Sequence, residues 1–291
     1  MSTTIQAARL RDIARQTEEI VAAGSYRAPD GREVSIAAWL RAAREGTRIH
    51  GPAPVPVPAV RVTRTTVEVT GESSLEAARR LGGHVAVLNF ASARNPGGGY
   101  LNGAQAQEEA LCRASALHAC LLGARAFYDH HRAHRDPFYS DRVIHSPGVP
   151  VFRDDHGRLL EQPYTAGFLT AAAPNAGVVL RSAPDRVPEL PRALAVRAER
   201  VLETAAAHGY RRLVLGAWGC GVFRNDPAQV AGAFQAALAP GGRFADAFEH
   251  VVFGILDRTR DRAVRRAFER AFSTGDARRV SSSRSVPGAG A

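Results

Sequence analysis

An α/β fold, with one sheet covered on both faces by helices, is what this sequence predicts. Apolar runs of strand length recur along the chain, and helix-periodic segments separate them. Residues 5–24 and 35–45 read as amphipathic helices, and the Gly-Pro-rich GPAPVPVP at 51–58 as an extended connector. Val60 to Thr70 alternates in the manner of a strand, and a helix over 74–82 leads into the apolar strand HVAVLNF at 84–90. A glycine-rich loop at 95–104 follows, then a helix beginning near Gln105. Further strands are expected at 142–146, 165–172, 212–217 and 249–256, and helices at 189–208, 227–238 and 259–272. From 274 the chain is rich in Ser, Gly and Arg and reads as a disordered tail. The expected organisation is a helical extension over 1–58 packed on a main domain of 59–273, with a tail at 274–291. In such a sheet, ligands are expected beyond the carboxyl ends of the strands.

Length and composition narrow the function classes. At 291 residues the chain can bury a sizeable core, and 45% hydrophobic with 23% charged residues is ordinary for a globular protein. No apolar stretch reaches the roughly 18 residues that a membrane span needs, and the N-terminus has no apolar run of the secretory kind. Cys112, Cys120 and Cys220 are too few and too scattered for a disulfide framework, so a reducing cytoplasm is expected. The formal net charge is +10, and all 38 basic residues are arginine. Arginine suits bidentate contact with phosphate, and a polyanionic substrate would be steered toward such a surface. The arginines are spread along the chain rather than clustered, so direct DNA binding is not indicated.

The chemistry concentrates in VLNFASARNPGGGYLNGAQAQEEALCRAS, residues 87–115. A strand runs through Asn89, the chain turns at Asn95-Pro96, and Gly97, Gly98 and Gly99 follow. Consecutive glycines permit positive φ and let backbone amides approach a ligand, a nest that favours anionic oxygens. Gln107, Glu108 and Glu109 fall in the first turn of the next helix, where carboxylates are electrostatically favoured. Neighbours on a helix diverge by about 100°, so two different roles fit the two glutamates better than one shared role. Taken alone, the pattern has a plainer explanation: a tight strand-to-helix turn whose carboxylates complement the helix N-terminus.

Three glycines, seven residues, then Gln-Glu-Glu resembles the catalytic signature of the poly(ADP-ribose) glycohydrolases (PARGs), and NFASARNPGGGYLNGAQAQEE resembles their bacterial branch. LVLGAWGCGVFRNDP at 213–227 is similar to that branch's phosphate-binding loop, and TAAAPN at 170–175 also matches; the likeness covers roughly 1–272. The resemblance implies a macrodomain-like mixed sheet with ADP-ribose bound across the strand tops. It makes Glu109 the catalytic acid/base and Glu108 the residue that holds ribose hydroxyls beside the scissile bond. Asn89, Gln107 and the glycines 97–99 join the binding site on one side, the glycines against the diphosphate and terminal ribose; Gly219, Cys220, Gly221, Val222 and Phe223 meet the diphosphate on the other, with Phe223 near the terminal ribose or the adenosine portion and Asn225 fixing that loop. Many macrodomains carry a second asparagine where this chain has Ser92, and Asn95 is the candidate substitute.

Acetal hydrolysis passes through an oxocarbenium-like transition state, so the leaving oxygen needs a proton and C1 needs water. The implied scheme gives both transfers to Glu109, held neutral by burial until it acts. It calls for no cofactor and no metal. The substrate would be poly(ADP-ribose) or ADP-ribosylated protein, attacked from chain ends, the product ADP-ribose, and the protein a monomer. Two alternatives stay open: a hydrolase of single ADP-ribosyl groups on protein or nucleic acid, and a non-catalytic reader of ADP-ribose, against which the intact Gln-Glu-Glu argues.

Three other constellations point to plainer roles. His130 and His134 share a helical face beside Asp129 and His131, but interleaved arginines and the lack of an HExxH pattern favour a solvated helix end over a metal. Cys220 has no identifiable base partner and reads as a small lining residue. Trp218 follows an apolar strand and fits packing behind the loop at least as well as an adenine clamp.

Overall fold

The computed structural model describes residues 3–58, 62 and 64–280. In chain order the elements are α1 (Thr3–Ala23), β1 (Ser25–Arg27), β2 (Glu33–Ser35), α2 (Ala37–Gly46), β3 (Arg48–His50), β4 (Thr66–Thr70), α3 (Ser74–Leu81) and β5 (Val85–Phe90). There follow α4 (Gln107–Ala114), α5 (Leu117–Gly123), α6 (Arg125–Ala133), β6 (Val143–Arg153), β7 (Leu159–Ala171) and α7 (Ala176–Ser182). The last are α8 (Leu190–Ala207), β8 (Arg212–Leu215), α9 (Pro227–Leu238), β9 (His250–Gly254) and α10 (Ala263–Val280).

Seven strands form one mixed sheet in the order β3-β6-β7-β5-β8-β9-β4. From β7 to β4 neighbours run parallel, while β6 and β3 are antiparallel additions at the other edge. Alternation along β5 explains the two layers. Val85 and Val87 point into a core shared with Phe127, Phe152 and Phe168, whereas Ala86 and Leu88 point into one built on Val201, Phe234 and Phe253. Both faces are therefore buried, as the apolar runs require. The carboxyl ends of β5, β7 and β8 lie side by side and launch the loops at 91–106, 172–175 and 216–226.

Helix ends follow local chemistry. Ser73 and Glu76 close a reciprocal capping box on α3, and Asp226 caps α9 just before Pro227. α4 begins after Ala106 with no side-chain cap, and Glu108 and Glu109 occupy its first turn.

Several expectations need adjusting. The N-terminal segment is not only helical: it folds the β1–β2 hairpin and gives β3 to the main sheet, antiparallel to β6. Three-residue strands leave no readable period, which is why the sequence hides them. The strands expected at 142–146 and 165–172 extend into a long bulged ribbon, because the two runs continue as a hairpin through 154–158. The strand expected from Val60 begins at Thr66, and 59–61 and 63 lie outside the described residues. α10 continues to Val280, past the point where the tail was expected to start, and 281–291 lie outside the described residues.

Candidate active site

The loop after β5 folds back so that α4 starts directly beneath it. Gln107 holds this junction: its Oε1 accepts from the Phe90 amide at 2.9 Å, and its Nε2 donates to the Leu88 carbonyl at 2.8 Å and to Ser74. All its amide groups are thus engaged within the protein, although the residue still borders the cleft.

Glu108 is buried and pinned at both oxygens, by the Asn89 amide at 3.2 Å and the Ser92 backbone N–H at 2.7 Å. Burial pushes its pKa up to about 8, with the charge of Glu109 adding to the rise; hydrogen bonds from Ser92, Asn89 and Gly97 pull it down without winning. Asn89 is itself fully buried, shared between Glu108 and Thr170, so it acts on the cleft through Glu108 rather than by reaching it.

Glu109 sits one position along, turned toward the glycines. Its Oε1 accepts from the Gly99 N–H at 2.9 Å, while Oε2 is buried with no hydrogen-bond partner. Gly98 has φ +57°, and a Cβ there would collide with Glu109 Oε1 and stand 3.3 Å from Glu108 Oε2. Gly97 differs: it faces inward, where a Cβ would meet His118 and Cys112, and it shapes the loop rather than the cleft. Asn95 is exposed at the turn, its carbonyl accepting from the Gly98 N–H at 3.0 Å. Ser92 contributes its backbone N–H to Glu108 and its hydroxyl to the Asn95 N–H.

Across the cleft, the loop after β8 is held at its base. The Asn225 amide donates to the carbonyls of Pro174 and Gly219, and Trp218 is buried with its Nε1 on the Ala171 carbonyl at 3.0 Å. Trp218 is therefore packing and not a clamp. Val222 at the tip is 80% exposed, and Phe223 lies beside Tyr139 with ring centroids 5.8 Å apart. Glu109, Gly98, Gly99, Gly219, Gly221 and Phe223 share one cavity of ≈ 780 Å³, within the range of small-ligand sites. Cys220 borders a neighbouring cavity instead, and burial pushes its thiol up to about 12, far from a ready nucleophile.

The chain as a whole matches known proteins. The family model for the microbial-type PARG catalytic domain covers residues 14–154. The crystal structure of the PARG from Thermomonospora curvata is 50% identical, with a TM-score of 0.86, over 91% of this chain and 100% of that one. The chain belongs to the microbial-type PARG family. The Thermomonospora protein bound to the inhibitor ADP-HPD matches at 49% identity with a TM-score of 0.84, over the same shares of both chains. The PARG from Deinococcus radiodurans in complex with ADP-ribose matches at 46% identity and a TM-score of 0.74, over 81% of this chain and 97% of that one. No curated protein matches.

What the sequence did not reveal in this member of the PARG family is the support behind the first loop. Glu18 of α1 accepts from the Tyr100 hydroxyl and pairs with His118 Nδ1, each at 3.1 Å. Burial works against the Glu18 carboxylate, but His118 and Tyr100 hold its pKa below the usual range. Tyr100 follows the glycines directly, and His118 backs Gly97, so α1 braces the loop that carries the glutamates. A signal existed: Ala14, Thr17, Glu18 and Val21 fall on one helical stripe, and a carboxylate there faces inward. The Asp129–His134 cluster stays apart from the site: His130 and His134 stack at 4.1 Å on the surface side, and His131 is buried against Ser140.

Proposed function

We propose that this chain hydrolyses the ribose–ribose bonds of poly(ADP-ribose) from chain ends, releasing ADP-ribose, with Glu109 as acid and then base. The observation that carries the reading is the Glu109 carboxyl: one oxygen is oriented by the Gly99 amide, and the other is buried, unpartnered and part of a residue bordering the shared cavity. Protonated Glu109 gives its proton to the leaving ribose oxygen as the C1–O bond breaks. The resulting carboxylate takes a proton from the water that attacks C1, which restores the acid.

Glu108 takes the second role. It is fixed by Asn89 and Ser92, and burial keeps it protonated near neutral pH, so it can donate to a ribose hydroxyl while Glu109 does the transfers. The diphosphate lies between Gly98–Gly99 and Gly219–Gly221, whose backbones can come close because no Cβ intervenes. Phe223 covers the ribose. A cavity of ≈ 780 Å³ suits one terminal ADP-ribose, which favours cleavage from the end.

The three cysteines are free, which suits a reducing, cytoplasmic setting, and among the described residues no helix is long and apolar enough to cross a membrane. A monomer acting on polymer carried by ADP-ribosylated protein completes the proposal.

The deciding experiment incubates the wild type and Glu109→Gln with automodified poly(ADP-ribose) and with mono-ADP-ribosylated protein, and follows product length over time. Early release of single ADP-ribose from polymer, reduced about 10²–10⁴-fold in the variant, supports the proposal. Early oligomers overturn attack from the end. Inertness on polymer with release from the mono-modified protein moves the substrate to single ADP-ribosyl groups.

A further inference from the structure

Away from the cleft, a second group of polar side chains has no part in this chemistry. His50 ends the edge strand β3, His145 lies in β6, and His208 follows α8. One ring nitrogen of each lies within 4.8 Å of those of the other two. His50 Nε2 and His208 Nε2 are 2.9 Å apart, and the His145 ring stacks on that of His208 with centroids at 3.7 Å.

His145 is the best placed of the three. It is 3% exposed, its Nε2 bonds the Tyr210 hydroxyl at 2.9 Å, and its Nδ1 is buried with no hydrogen-bond partner. A buried ring nitrogen is seldom left unmatched. Tyr210 in turn is locked: it lies over Gly167, where any Cβ would overlap the phenol ring, and it stacks on His84 at 4.1 Å. An imidazole held at one nitrogen by a fixed hydrogen-bonding group, with the other left bare, has the arrangement of a metal ligand with its outer partner.

We propose that His50, His145 and His208 bind a divalent transition-metal ion of the zinc class, with His145 as the anchored ligand and solvent completing the shell. An all-imidazole donor set selects zinc, cobalt, nickel or copper over magnesium and calcium, which require oxygen. Bonds of about 2.1 Å in a tetrahedral shell set the nitrogens roughly 3.4 Å apart. The His50–His208 pair already stands near that spacing, and rotation of the rings out of their stack brings in the third. His50 and His208 are only partly buried, which leaves a way in. The site is structural: the ion ties the N-terminal segment to the sheet and to the α8–β8 turn, joining residues 158 positions apart.

The test titrates the metal-stripped chain with Co²⁺ and Zn²⁺ and reads the Co²⁺ visible absorption band, the bound stoichiometry, and the Tm difference between zinc and EDTA. Wild type, His50→Asn, His208→Asn and the double variant His130→Asn/His134→Asn are compared. The difference within each variant removes any general loss of stability from the readout. One ion per chain is expected, with a Tm rise on the order of 5 °C at saturating metal. The two cluster variants, which lose a ligand outright, should weaken binding by at least the roughly tenfold that loss of a mere outer partner costs, and the surface pair should leave it intact. Absence of stoichiometric binding overturns the site, as does binding that survives His50→Asn and His208→Asn or vanishes in the His130/His134 variant. Each readout is independent of turnover, so the outcome stands apart from the glycohydrolase proposal.

Discussion

The two loops that form the cleft are built on opposite principles. The loop at 91–106 is locked from behind by carboxyl groups: Glu108 and Glu109 bind its amides, and Glu18 braces it through Tyr100 and His118. The loop at 216–225 is held by neutral groups, the Asn225 amide and the Trp218 indole at its base and the Gly177 N–H on the Phe223 carbonyl, while Val222 projects into solvent. Buried carboxyl groups are tolerated only with fixed donors around them, so under the proposed mechanism the side that would carry the chemistry is rigid by necessity. The side proposed to meet the diphosphate would need open amides more than fixed charges.

Substitutions at matching positions can break or sharpen this contrast. Gly98→Ala should have the largest effect, a loss of turnover on the order of 10²-fold, because a Cβ at φ +57° displaces Glu109. Glu18→Ala should lower kcat about tenfold with KM little changed, and lower stability by about 1–3 kcal/mol as His118 loses its partner and Tyr100 keeps only the Ala14 carbonyl. An effect confined to stability would reduce α1 to packing. Phe223→Ala should do the reverse and raise KM a fewfold at constant kcat, the mark of uniform binding; a fall in kcat instead would make both loops catalytic.

Glu108→Gln tests the buried acid by pH. Its folded pKa of about 8 lies above the ordinary 4.5, so between those values the unfolded chain has released a proton that the folded chain keeps. Stability should therefore fall as pH rises through that window and level off above it. The variant should flatten the slope, shrinking the Tm difference between pH 5 and pH 8 by a few degrees; an unchanged difference would mean that Glu108 is ionised throughout. The smallest effect is expected from Gly232→Ala in α9, outside both loops, where a Cβ meets nothing within 4 Å and activity should stay within about twofold.

Much of this site was legible because its residues lie close together in the chain. Gly97 to Glu109 is one short stretch, and the apolar runs at 84–90 and 212–217 announced the strands that carry both loops. Side-chain direction was not legible. Gly97 turns into the core while Gly98 faces the carboxylates, and Cys220 borders only the neighbouring cavity whereas Gly221 borders both. Such choices depend on φ and on what packs behind, neither of which has a period. Glu18, Tyr100 and His118 escaped for a different reason: their contacts span 82 and 100 positions, and nothing local ties them together.

That span also has a bearing on assembly. α1 is made well before the groups it meets: the Arg113 carbonyl on Thr17, His118 on Glu18, and Arg153, which reaches back to Thr17 across 136 positions. Contacts of such separation form late, because loop closure must come before any reward. As the chain leaves the ribosome, this helix must stay unsatisfied until those later residues have followed it. The glutamates gain their brace only then, so the first loop of the cleft is set well after the helix that supports it has been made.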